Sequence, residues 1–223
     1  MKKIYLNIEK VLEHWTVSHA LRKIIANAMD ESILSRTKDP IIFKGEDRKW
    51  HIKDYGRGLK HNHLTQNENN EKIINVDKVI GKVGVALKDA LATFDRRNMH
   101  VLIKSKYDDI VIKKLSKEGF ADITTLHAIV QEPSDRNMVG TEFILGGLQD
   151  SDINQAKDFF LLYSGEQVIE ETEYGALLEK VDNKESRIYV NGLCVAEEEN
   201  LLFSYNEGYL QDEEFMKIYN YNF

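Results

Sequence analysis

The sequence predicts an α+β protein of two layers, in which helices cover one face of a mostly antiparallel sheet. Three observations lead there. Val17, Ala20, Leu21, Ile24, Ile25 and Ala28 fall on one side of a helix when each residue turns the chain by about 100°. Val83, Leu87, Ala90, Leu91 and Phe94 make a second stripe of the same period. Between residues 98 and 146 the period changes to two, and short turn clusters separate the runs.

Each element can be justified in chain order. The helix through residues 17–31 carries a second stripe, His19, Lys23, Asn27 and Asp30, whose members stand one turn apart. Asn and Asp prefer caps and turns to helix interiors, so Asn27 and Asp30 need a reason to be there. Trp50 and Ile52 alternate with polar residues as a strand that runs into "DYGRG". Residues 60–78 are polar and too long for an ordinary connection, which predicts a functional lid or a disordered segment. "IGKVGVALKDALATFD" reads as a glycine-punctuated loop entering a helix. "MHVLIKS", "DIVIKKL", "ITTLHAIVQ" and "TEFILGG" follow as strands. Consecutive strands with short turns pair antiparallel, and the preceding helices must cover one face. Beyond residue 149, "DINQAKDFFLLYS" reads as one helix and "SRIYVNGLCVAEEE" as a hairpin turning at Asn191-Gly192. The expected division is residues 1–148, with a lid over about 59–82, and a C-terminal extension over 149–223.

Composition narrows the function. A net charge of −7 argues against a broad footprint on nucleic-acid phosphates. No apolar run reaches the roughly 18 residues of a membrane helix, and "MKKIYLNIEKVLEHW" has no continuous apolar core of the signal-peptide kind. The single cysteine, Cys194, fits a reducing cytoplasm. His51, His61 and His63 lack partners at zinc spacing. Neither the G-x-x-x-x-G-K-[ST] loop nor a complete dinucleotide fingerprint is present.

What remains is an ordered series of four motifs. "NAMDE" lies on a helix, "DYGRG" follows a strand, "GKVGVA" opens a helix and Gly140-Thr141 begins a strand. Over roughly residues 15–146 this series resembles the GHKL superfamily of ATP-binding domains, which includes gyrase B, the ninety-kilodalton heat-shock chaperones, histidine kinases and MutL. The resemblance implies the Bergerat fold and binding of ATP with magnesium. "NAMDE" resembles the N-box, "DYGRG" the first glycine box and "GKVGVA" the second, the last in the form found in MutL. The Leu-Lys after "DYGRG" departs from gyrase, which has Ile-Pro there.

Residue by residue, the resemblance gives Asn27 to magnesium and Asp54 to the adenine amino group, with Thr141 on the same pocket edge. Gly56 and Gly58 would admit the base closely. Gly81, Lys82 and Gly84 would bring the end of the lid over the phosphates. Glu31 and Arg57 match a salt bridge beside the adenine, and Asp30 belongs to the same nucleotide-binding set. The catalytic position departs from the family. Where hydrolytic members carry a water-activating glutamate, this chain has Lys23, and His19 stands one turn earlier. An ammonium is a poor general base unless burial lowers its pKa. The expectation is therefore an ATP-binding switch with slow or absent hydrolysis, whose lid acts on a protein partner or a second copy of the chain. The alternatives are phosphorylation of a separate protein, as histidine kinases do, and DNA processing, as MutL does.

Overall fold

The computed structural model describes residues 2–6, 14–65, 70–75, 78–80, 86–117 and 120–207. Its larger sheet has seven strands in the order β1-β6-β5-β4-β7-β3-β2, every neighbouring pair antiparallel. These strands are β1 (Lys2–Tyr5), β2 (Ile41–Lys44), β3 (Trp50–Lys53), β4 (His100–Ser105), β5 (Asp109–Lys117), β6 (Phe120–Gln131) and β7 (Thr141–Gly146). The period-two expectation over residues 98–146 is met by β4 to β7. In β4 and β7 the odd-numbered residues are buried and the even-numbered ones, Gly146 apart, more exposed. One row of cross-strand partners, Ile52–Phe143–Ile103–Ile110–Val130, runs through five strands as an apolar floor.

Helices α1 (Val17–Ser35) and α3 (Ala86–Arg96) pack on each other and on this sheet, so the two-layer α+β class holds. Thr16 caps α1, where its side chain accepts a hydrogen bond from the His19 N–H. The apolar stripe of α1 faces the core, with Ala20, Leu21, Ile24 and Ile25 fully buried. Leu87, Ala90, Leu91 and Phe94 of α3 are buried against them, while Val83 lies outside the described residues. A 3-10 turn (His61–Leu64) and the short α2 (Asn70–Ile74) lie in the segment expected to be a lid.

Downstream, α4 (Asp150–Lys157) and α5 (Leu161–Ser164) replace the single helix expected there. Phe160 breaks it. Its backbone is extended and it pairs as an isolated bridge with Leu193, which takes over the hydrogen bonds of Phe159 and Leu161 and buries the Phe160 ring completely. A second sheet follows in the order β11-β10-β12-β9-β8, from β8 (Val168–Glu171), β9 (Gly175–Leu178), β10 (Ser186–Val190), β11 (Leu193–Glu198) and β12 (Ser204–Glu207). The β10–β11 hairpin turns at Asn191-Gly192 as expected, with both residues at positive φ. Ile153, Ala156, Phe160 and Leu193 join the same hydrophobic cluster as α1 and α3, so one core crosses the boundary expected at residue 148. No helix among the described residues is long and apolar enough to cross a membrane.

Candidate functional site

A cavity of about 480 Å³ opens where the C-terminal half of α1, the segment after β3, the start of β7 and α2 meet. Its walls include Asn27, Glu31, Asp54, Arg57, Gly58 and Thr141, six of the residues singled out in the sequence. Phe143 and Leu87 supply apolar wall, and Tyr107 stands at the mouth.

Asp54 follows β3 directly and is 4% exposed. One carboxylate oxygen accepts from the Gly56 N–H at 2.9 Å and the Thr141 N–H at 3.1 Å. Thr141 in turn accepts the Asp54 N–H on its carbonyl and the Leu59 N–H on its hydroxyl, each at 3.0 Å. Three chain segments are thereby fixed around one carboxyl group. Gly140 makes this possible: its φ is +79°, and a Cβ there would collide with the Asp54 backbone carbonyl. Burial pushes the Asp54 pKa up and the nearby Glu31 adds to that, against the opposing pull of the Gly56 and Thr141 hydrogen bonds.

Glu31 and Arg57 meet as the motif match implies. Arg57 donates from Nε and from a terminal nitrogen to the two Glu31 oxygens, each at 2.9 Å, and its backbone N–H adds a third bond at 2.8 Å. Burial alone would raise the Glu31 pKa, but the Arg57 and Ser35 hydrogen bonds outweigh it and hold it at about 2. Gly56 is explained differently from the expectation. It does not line the cavity, and the room left by its missing Cβ is filled by the Glu31 side chain. Gly58 does line the cavity, at φ +89°.

The lid segment is docked. Arg57 extends its other terminal nitrogen to Glu71 of α2 at 2.8 Å. The neighbouring Lys72 inserts its ammonium between two residues of α1, 2.8 Å from Asn27 Oδ1 and 2.6 Å from Asp30 Oδ2. Asp30 is completely buried, and its other oxygen accepts the Ile80 N–H at 2.6 Å. The two polar residues in the middle of α1 thus hold α2 and the chain at Ile80. Nothing in the sequence pointed to Lys72, because its place depends on how α2 docks. Lys60 and Lys106, both on the Tyr107 ring, also line the cavity beyond the expected set.

The two catalytic candidates sit elsewhere. His19 lies two turns before Asn27 and lines a different cavity; its Nδ1 accepts the Thr16 N–H at 3.2 Å, which makes it part of the helix cap. Burial, followed by the charges of Arg22, His14 and Lys23, lowers its pKa. Lys23 is not among the residues lining the 480 Å³ cavity. Burial, then Arg22 and Lys72, bring its pKa down to about 7, and its ammonium stands 5.9 Å from the Trp15 ring. Lys23, at the position of the family's glutamate, is thus not on this cavity; the lysine that reaches α1 from the cavity side is Lys72. Gly81, Lys82 and Gly84 lie outside the described residues.

The fit of magnesium can be tested on Asn27. A magnesium ion on its amide oxygen would sit about 2.1 Å away, hence no more than about 5 Å from the Lys72 ammonium that is already 2.8 Å from that oxygen. Two cations so close repel. With Lys72 docked, the Asn27 oxygen fits an ammonium and does not fit magnesium in addition.

In chemical terms, a fixed, buried carboxylate and an apolar wall suit an amino-bearing heterocycle, and Lys60, Lys72 and Lys106 suit an anionic tail. The fold and the cavity define a two-layer α+β protein with a polar pocket between its helices and its larger sheet. A protein of Mycoplasma pneumoniae (strain ATCC 29342 / M129 / Subtype 1), described as uncharacterized, is 37% identical over 210 residues, covering 92% of this chain and 84% of that protein. The chain belongs to that protein's family. The family model described as the Mycoplasma pneumoniae MPN635 N-terminal domain matches residues 151–218. Among solved structures, the 43K ATPase domain of Thermus thermophilus gyrase B, in complex with an aminocoumarin, aligns at a TM-score of 0.37 and 15% identity. That alignment takes in 79% of this chain and 61% of the gyrase chain. So distant a likeness leaves the pocket's own chemistry to identify its ligand.

Proposed function

We propose that the chain binds ATP in the 480 Å³ cavity and acts as a nucleotide-dependent conformational switch. One observation carries the reading: Asp54, nearly buried and pinned by two backbone donors, lines a cavity that Lys60, Lys72 and Lys106 also line. A carboxylate held in this way accepts a hydrogen bond from an exocyclic amino group, as the resemblance to the GHKL superfamily implies for this position. The nucleotide-binding part is read as residues 1–148 and the C-terminal extension as 149–223. Firmer docking of α2 over the nucleotide is the output, read by a protein partner or a second copy of the chain in the cytoplasm.

Slow or absent hydrolysis follows from the same walls. Glu31 and Glu71 are both bound to Arg57, and Glu31, held at about 2, is too weak a base to take a proton from water. Calorimetric titration with ATP, ADP and a non-hydrolysable analogue tests the proposal. Binding of ATP with an affinity that falls in Asp54→Asn is the expected result, and equal affinity in wild type and variant removes the assigned pocket.

A further inference from the structure

We propose that Lys72 is the resident cation of this site, so that nucleotide binds without needing a divalent ion. The inference rests on the ATP reading above and names what stands at its phosphate end. Three features support it. The ammonium bridges Asn27 Oδ1 and Asp30 Oδ2 at 2.8 and 2.6 Å, so it occupies the amide oxygen that the resemblance gives to magnesium. Asp30 is 0% exposed, and Lys72 is its ion-pair partner, with a side chain only 12% exposed. Losing the ammonium from a pair buried this deeply is unfavourable, even though Asp30 keeps the Ile80 N–H. An ammonium has three protons, and the two oxygens of α1 take two of them.

The third proton is the one that matters for function. Lys72 lines the cavity, so that proton is available to a phosphate oxygen while the other two stay on α1. A divalent ion would have to displace the ammonium and lose the Lys72–Asp30 pair before gaining anything. Keeping Lys72 in place avoids that loss. The lysine then positions the phosphates and at the same time holds α2 down over them.

The test compares nucleotide affinity in EDTA and in millimolar magnesium for wild type, Lys72→Met and Lys72→Arg, using a non-hydrolysable ATP analogue. Wild type should bind within about threefold in the two media. Lys72→Met should bind on the order of tenfold more weakly in EDTA, the effect of losing one charge-assisted hydrogen bond, and regain part of that in magnesium. Lys72→Arg keeps the charge and should remain indifferent to magnesium. A second readout needs no nucleotide: magnesium alone should leave the unfolding temperature of wild type unchanged and raise that of Lys72→Met, in which Asn27 and Asp30 have lost the ammonium. Wild-type binding confined to magnesium overturns the role of Lys72 and leaves the ATP reading standing. Absence of binding in both media overturns the two together.

Discussion

Two cavities of nearly equal size flank α1, and their contents differ more than their volumes. One, about 480 Å³, lies towards the C-terminal half of α1; the other, about 510 Å³, lies at its N-terminal end between α1, the α4–α5 break and β11. In the second, Arg187 is 7% exposed and its guanidinium is committed. It donates to both Asp158 oxygens at 3.0 and 2.7 Å, to the Asp158 carbonyl at 2.9 Å and to Glu197 at 2.9 Å. Arg22 lies 4.8 Å over the Phe159 ring, and His19 serves the helix cap. Burial pushes the Cys194 thiol up to about 11, so it is not a nucleophile near neutral pH. The polar groups of that cavity are spent within the C-terminal part and on the helix cap, with Arg22 over Phe159 joining the two. In the first cavity, Asp54 is fixed from behind by backbone donors and the lysines at the mouth converge from separate segments. Volume does not separate a binding site from a structural gap; the direction in which polar groups are satisfied does.

That contrast can be broken most sharply by Asp54→Asn. The variant keeps an acceptor for Gly56 and Thr141 but presents an amide that the adenine amino group cannot pair with, and nucleotide affinity should fall roughly a hundredfold at nearly unchanged stability. Calorimetry and urea unfolding together check both halves. Arg187→Met should do the reverse. It should cost about 1–3 kcal/mol in urea unfolding, since two carboxylates and a carbonyl lose their donor while remaining able to reach water, and leave nucleotide affinity unchanged. Equal effects of both variants on binding would erase the distinction between the two cavities.

Two smaller effects depend on pH. Lys23 has its pKa lowered in the folded protein to about 7 from 10.5, so between those values the unfolded chain binds more protons. Stability should therefore carry a penalty below pH 7 that is relieved as pH rises towards 10.5, and Lys23→Met should flatten that slope. For Glu31 the shift is from 4.5 down to about 2, the opposite case. Its contribution is complete above 4.5 and is lost as pH falls towards 2. Urea midpoints measured from pH 5 to 2 should show that loss in wild type and lack it in Glu31→Gln.

Much of this was legible before any coordinates. The four strands β4–β7 announce themselves by alternation, and α1 and α3 by a 3.6-residue stripe, because burial on one face leaves a periodic record. The strands β1, β2, β8, β9 and β12 were missed. Each is four residues long, and β1 exists only because Lys2–Tyr5 reach β6 at the far side of the sheet. The break at Phe160 was missed for a related reason: a distant partner, Leu193, sets its backbone. In the site, Asn27, Glu31, Asp54, Arg57 and Thr141 were found through motifs fixed to helix, strand and turn positions. Lys72 was not, since a lysine in a polar segment gives no sign that Asn27 and Asp30 will receive it.

The two tethers of α2 differ in one respect that governs how it lets go. Arg57 and Glu71 form a pair with side chains 51% and 42% exposed, whereas Lys72 and Asp30 are 12% and 0% exposed. Dissolved ions weaken an attraction between exposed charges and reach a buried one far less. Raising ionic strength therefore loosens the Glu71 tether while the Lys72 tether beside it stays clamped. Amide hydrogen exchange in α2 quickens with salt only up to the rate at which the Lys72 contact itself opens, then levels off. The clamp thus behaves as a two-stage latch, whose outer stage answers to the medium and whose inner stage answers only to what enters the pocket.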